Sequence, residues 1–199
     1  IKQLSSKGVF FSAYDKTSDS LLYFEKGDMG YTINEYHLAT GEDTVLVNQP
    51  IADIEDALWS PSRTQVIVQT KNIKRDPSEL IQYLAQYGEG EDINWSINLV
   101  RKDLVNVSTK ALHPTIKNMS FSPGGDKIVY FFKNDVERTL AVANNDGLDF
   151  ERILQFEELP FDPAVVWSPD GKHIALYGED PNADESDIYL YSFQDRNVI

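Results

Sequence analysis

One short phrase recurs in this chain, and it limits the possible folds more than any other feature. An aromatic residue is followed by Ser-Pro, a polar turn and a run of β-formers. The copies are WSPSRTQVIVQT at 59–70, FSPGGDKIVYFF at 121–132 and WSPDGKHIALYG at 167–178. Their serines, Ser60, Ser122 and Ser168, lie 62 and 46 residues apart. Six residues beyond each serine stands a β-branched residue: Val66, Ile128 and Ile174. Pro fixes φ and Gly permits positive φ, so each phrase reads as strand, tight turn, strand. Self-similarity at such a spacing is the signature of a repeat architecture.

The stretches that follow also match one another. INWSINLVRKD (93–103), ERTLAVANNDG (137–147) and SDIYLYSFQD (186–195) each read as a strand ending in a turn, and Asn145-Asp146-Gly147 is a hairpin signal. A weaker fourth copy lies upstream, with VFFSAYDKTSDSLLYFEK (9–26) and YTINEYHLATGEDTVLV (31–47) as its two hairpins. Each unit is therefore expected to be a four-stranded antiparallel meander, strands a to d. A meander of this size cannot bury both faces alone, so neighbours stack around an axis. The fold class expected is all-β: a β-propeller with about four visible blades, part of a larger or open ring. The blades fall at about 9–49, 51–113, 115–159 and 161–199, within one propeller domain or fragment covering 1–199. Trp59, Phe121 and Trp167 are expected to fill equivalent spaces between blades.

WSPDGKHIALYG…DIYLYS and FSPGGDKIVYFF…TLAVANNDGLDFERIL resemble the TolB-type repeat of WD-like β-propellers. The resemblance covers most of residues 9–199. The first copy lacks the Ser-Pro-Asp-Gly phrase, and the second has Ser62-Arg63 where the family favours Asp-Gly. The resemblance implies a bacterial protein outside the cytoplasm. It implies either a non-enzymatic scaffold for a protein or other macromolecular partner, or the gating propeller of a prolyl-oligopeptidase-type hydrolase whose catalytic domain is absent here.

Charge narrows the partners. The formal net charge is −14. Binding nucleic acid needs Lys and Arg to displace counterions, and anionic membranes need the same, so neither is the expected partner. Cysteine is absent, which removes disulfides, thiolate zinc sites and a cysteine nucleophile. No apolar run approaches a membrane span. IKQLSSKG does not read as a signal peptide, so a targeting segment is expected outside this chain. The three histidines, His37, His113 and His173, share no metal-ligand spacing, and no Gly-x-Ser-x-Gly elbow, phosphate loop or dinucleotide fingerprint occurs. The repeated serines are turn residues. No enzyme and no cofactor is expected.

Connectivity suggests where function sits. In a meander the a–b and c–d turns share one end, and the b–c loops and d–a connections share the other. By this scheme most of the acidic excess lies at the b–c end. The second b–c loop, NIKRDPSELIQYLAQYGEGED (72–92), predicts a helix near 77–87: Asp76 caps it, Pro77 suits its first position and Glu79 completes a capping box. Tyr83 and Tyr87 on it are candidate partner contacts. So are Glu179, Asp180, Asp184, Glu185 and Asp187 in the fourth b–c loop, which a basic protein would meet. Asp180, Asn182, Asp184 and Asp187 also alternate like calcium ligands, although the Gly and terminal Glu of an EF-hand loop are missing.

Overall fold

The serine of each repeated phrase is the hinge of a hairpin, and its hydrogen bonds show why the phrase repeats. In the computed structural model, residues 8–70, 93–98, 108–112, 116–133, 137–156, 163–179 and 186–198 are described, with the backbone alone at 93–98, 108–111, 117, 179 and 186–187. The N–H groups of Ser60, Ser122 and Ser168 each donate to the carbonyl five residues on, at 2.9 Å in every copy. The N–H groups of Gln65, Lys127 and His173 donate back to the serine hydroxyls at 3.1, 3.1 and 2.9 Å. A third bond, from the N–H of Arg63, Gly125 or Gly171 to the serine carbonyl, closes the turn. Those three residues have φ of 59°, 75° and 74°. Glycine adopts this region at little cost and arginine does not. In the second copy Arg63 offsets that strain through its side chain, which donates to the carbonyls of Ser60 and Tyr14, each at 3.2 Å.

Four antiparallel four-stranded meanders result. The first holds β1 (Val9–Asp15), β2 (Ser20–Gly27), β3 (Gly30–His37) and β4 (Asp43–Ile51). The second holds β5 (Ile54–Trp59), β6 (Gln65–Thr70), β7 (Ile93–Asn98) and β8 (Ser108–Ala111). The third holds β9 (Ile116–Phe121), β10 (Lys127–Lys133), β11 (Arg138–Asn144) and β12 (Glu151–Gln155). The fourth holds β13 (Ala164–Trp167), β14 (His173–Glu179), β15 (Ser186–Ser192) and β16 (Asn197–Val198). No helix occurs among the described residues, and the helix expected near 77–87 lies outside them. The chain divides into two compact units, Ile1–Ala111 and Leu112–Ile199.

Within each unit the two sheets pack by one rule. Positions seven and nine after the hinge point forward: Leu22 and Phe24 in the first sheet, Val129 and Phe131 in the third. Positions six and eight point back: Val66 and Val68 in the second sheet, Ile174 and Leu176 in the fourth. In the first unit Leu22, Phe24 and Ile33 pack against Val66, Val68 and Trp59. In the second unit Val129, Phe131 and Leu140 pack against Ile174, Leu176 and Val165. Alternation along a strand sends neighbours to opposite faces, so one hairpin feeds two interfaces.

The first sheet reaches the same hinge with other letters. Asp15 stands in the serine position and is 3% exposed. Its carboxylate accepts the Thr17 N–H and the Ser18 hydroxyl, both at 2.9 Å, an Asx-type turn. Ser20 donates to the buried Glu35 carboxylate at 2.5 Å, and His37 lies 3.8 Å from it. The aromatics before the hinges differ as well. Trp59 and Phe121 are buried, at 8% and 6% exposure. Trp167 is half-buried, contrary to expectation, because it stacks on Phe193 at 5.3 Å near the surface of the fourth sheet.

Candidate functional site

Backbone hydrogen bonds fix which turns share an end. Leu38 N–H donates to the Asp19 carbonyl, Asn145 to Asp126 and Phe193 to Lys172, all at 3.0 Å. Each bond adds one rung to the b–c ladder and ties the c–d turn to the a–b turn. The b–c turns and d–a connections are left at the opposite end.

In the first unit that opposite end forms a groove of about 600 Å³. The β2–β3 turn supplies Lys26, Asp28, Met29 and Tyr31 as walls, and the link from β4 to β5 supplies Asp53 and Glu55. The backbone builds it tightly. Gly30 has φ of 132°, and a Cβ there would stand 2.6 Å from the Ile51 carbonyl oxygen, so the turn and the link can approach only at glycine. Asp53 sits at φ 49°, a conformation Asp tolerates better than most residues. Met29 stands at the rim, 80% exposed. Lys26 lies over the Tyr31 ring at 5.7 Å, so the cation is drawn to the wall of the groove. Asp28, Asp53 and Glu55 are exposed and Met29 adds a flexible thioether, so the lining is mainly acidic with one apolar neighbour.

The fourth sheet puts two expected contact residues at its own b–c end. Glu179 closes β14, and Asp187 pairs with Gly178 at the start of β15. Asp180, Asn182, Asp184, Glu185, Tyr83 and Tyr87 lie outside the described residues. Among the described residues no three His, Cys, Asp or Glu side chains are grouped to hold a metal. The sequence reading missed Asp28 and Met29, because a two-residue turn carries no signal beyond its flanking glycines.

A second hollow, of about 310 Å³, lies on the third sheet among Ile116, Tyr130, Phe132, Ala141 and Phe150. Its one cation is already committed. The Arg152 guanidinium binds Glu137 at 2.5 Å and sits over Phe150 at 5.2 Å. That bond, with one from Thr139, holds the Glu137 carboxyl below the usual carboxylate range, while burial pushes the Tyr130 hydroxyl up. The c–d turn at 144–149 is fully used by its own bonds: Gly147 N–H to the Asn144 carbonyl, Leu148 N–H to Asp146 and the Asn144 amide to Asp149.

No protein-family model matches the chain, and no curated protein is significantly similar to it in sequence. Solved structures are similar in fold. TolB from Acinetobacter baumannii matches over 98% of this chain and 43% of its own, with 13% identity and a TM-score of 0.61. A prolyl endopeptidase matches over 98% of this chain and 29% of its own, with 12% identity and a TM-score of 0.64. The acylaminoacyl peptidase of Pyrococcus horikoshii matches over 96% and 31%, with 14% identity and a TM-score of 0.59. The chain thus spans less than half the length of each. The fold is a TolB-like β-propeller of antiparallel four-stranded blades. That fold supplies a rigid scaffold, and function must be sought in the loops it presents. No helix among the described residues is long and apolar enough to cross a membrane.

Proposed function

We propose that this chain is a non-catalytic TolB-like scaffold, working outside the cytoplasm, that binds a basic protein partner through its b–c end. The observation that carries the reading is the groove that Asp28, Asp53, Glu55 and Met29 line together. Carboxylates pooled at one end of a chain of net charge −14 steer cationic partners toward that end. Glu179, Asp180, Asp184, Glu185 and Asp187 are proposed to extend the acidic surface of the fourth blade, with Tyr83 and Tyr87 as anchoring aromatics of the second. Asp180, Asn182, Asp184 and Asp187 remain the calcium alternative.

The test uses a lysine-rich synthetic peptide and stopped-flow mixing at several salt concentrations. Asp28→Asn with Asp53→Asn should slow association more than Asp19→Asn with Glu42→Gln at the other end. The rate should fall as salt rises, because exposed charges are screened beyond about 10 Å at 0.1 M. Equal effects from both sets would remove the directed end and leave the charge as a solubility feature.

A second reading has its own support. The likeness to prolyl endopeptidase and acylaminoacyl peptidase structures favours a propeller that gates a hydrolase. The full open reading frame separates the two. A Gly-x-Ser-x-Gly elbow in an adjoining α/β pattern would favour the gating role.

A further inference from the structure

Among the described residues that line the b–c groove of the first unit, Lys26 is the one cation. It pairs with Tyr31 across β2 and β3, so the two side chains leave the same face of the sheet. Its ammonium lies over the Tyr31 ring, 5.7 Å from the centroid, within the range of a cation–π contact. The ring itself is held. Phe10 meets it at a right angle with centroids 5.5 Å apart, and Tyr31 packs against the buried cluster that includes Phe24 and Ile33.

Lys26 rests on the ring and not on an acid. Among the described residues it forms no ion pair, and neither do Asp28 and Asp53 of the same groove. All three are exposed, so each is free to meet a partner in solvent. The carboxylates therefore attract a cation, and the half-buried Tyr31 face is where a cation comes to rest. That resting place is already taken by a side chain of the protein.

We propose that Lys26 is a built-in competitor for the groove: its ammonium holds the Tyr31 ring, and a lysine or arginine of the partner binds by displacing it. The inference rests on the groove binding a basic partner. An isolated cation gains little from the exchange, because one ring contact replaces another. A basic segment that also lays an apolar side chain on Met29, 80% exposed at the rim, makes a contact that displacement of Lys26 does not offset. Lys26 thus acts as a specificity determinant. It weakens every cation alike and leaves net affinity to partners with a second contact.

Calorimetric titration of the 199-residue chain with the lysine-rich peptide tests the proposal. Lys26→Gln should raise affinity about three- to fivefold, the worth of an exposed cation–π contact. Lys16→Gln makes the same change in net charge at the exposed turn between β1 and β2. It should raise affinity less than about 1.5-fold at ~0.15 M salt, where charges more than about 8 Å away are screened. Lys26→Arg keeps the charge and stacks well on an aromatic face, so it should bind the peptide no better than the parent. In a Tyr31→Leu background the gain from Lys26→Gln should shrink to that of Lys16→Gln, and if Tyr31→Leu melts early, the comparison of Lys26 with Lys16 decides alone. Equal gains from Lys26→Gln and Lys16→Gln overturn the proposal and leave the acidic groove as the binding site. So does tighter binding by Lys26→Arg. A peptide that binds none of the proteins, the parent included, overturns both the proposal and the reading of the groove.

Discussion

Each repeated letter at the hinge has a local task, which is why the residue scale was the most legible. Ser60, Ser122 and Ser168 each make the same three bonds, so the phrase survives in three places. The first repeat was hard to recognise for the same physical reason. An Asp carboxylate can do what a Ser hydroxyl does, so Asp15 keeps the turn and loses the letters. Trp59 and Trp167 share a repeat position and differ in surroundings. Trp59 donates its indole N–H to the Phe11 carbonyl at 2.6 Å and lies 5.6 Å from Phe24. Replacing Trp59 with Ala should cost about 3–5 kcal/mol, the range for a buried aromatic, and Trp167 roughly half as much. Urea denaturation of both variants checks the order, and equal losses would contradict it. Tyr23 offers a titration test. Burial, then a 2.8 Å bond to Asp43, pushes its hydroxyl well above the ordinary phenol value. The neutral phenol is favoured in the folded protein, so its contribution is fully present below about pH 10 and is lost as pH rises further. Tyr23→Phe should flatten part of the alkaline decline in melting temperature. If both proteins decline identically above pH 10, the Tyr23 hydroxyl is not held as described.

At the scale of elements, the period-two pattern gave the strands and their pairing, because it alone decides which side chains reach a neighbouring sheet. Irregular places were hidden. The bulges between Phe10 and Ala13, and between Leu140 and Ala141, shift register without any sequence mark. The groove belongs to this hidden class. Connectivity puts the d–a links at the b–c end, but only the close approach of Gly30 to Ile51 lets Asp28 line one groove with Asp53 and Glu55 of the first link. Gly30→Ala should therefore do two things at once. It should destabilise by about 1–3 kcal/mol, the cost of forcing a side chain into a glycine-only conformation. It should also weaken binding of the lysine-rich peptide, because the turn must move off the link. A variant that melts normally and binds normally would show that the approach of turn and link does not shape the groove.

For the whole molecule, net charge sets how salt acts on stability and on capture of a partner. A chain with 32 acidic and 18 basic residues repels itself in dilute buffer. Added salt should raise its melting temperature and weaken capture of a basic peptide. The two responses separate general repulsion from a directed acidic end, since only the second depends on Asp28, Asp53 and Glu55. Calcium sharpens the comparison. At matched ionic strength, calcium and magnesium chlorides should raise the melting temperature equally if the acids are merely solvated and screened. Differential scanning fluorimetry with each salt, and with a chelator added, gives the answer. A rise specific to calcium and reversed by the chelator would mean binding linked to folding. Asp180→Asn with Asp184→Asn should then abolish it, which would move the fourth b–c loop from partner contact to structural metal site.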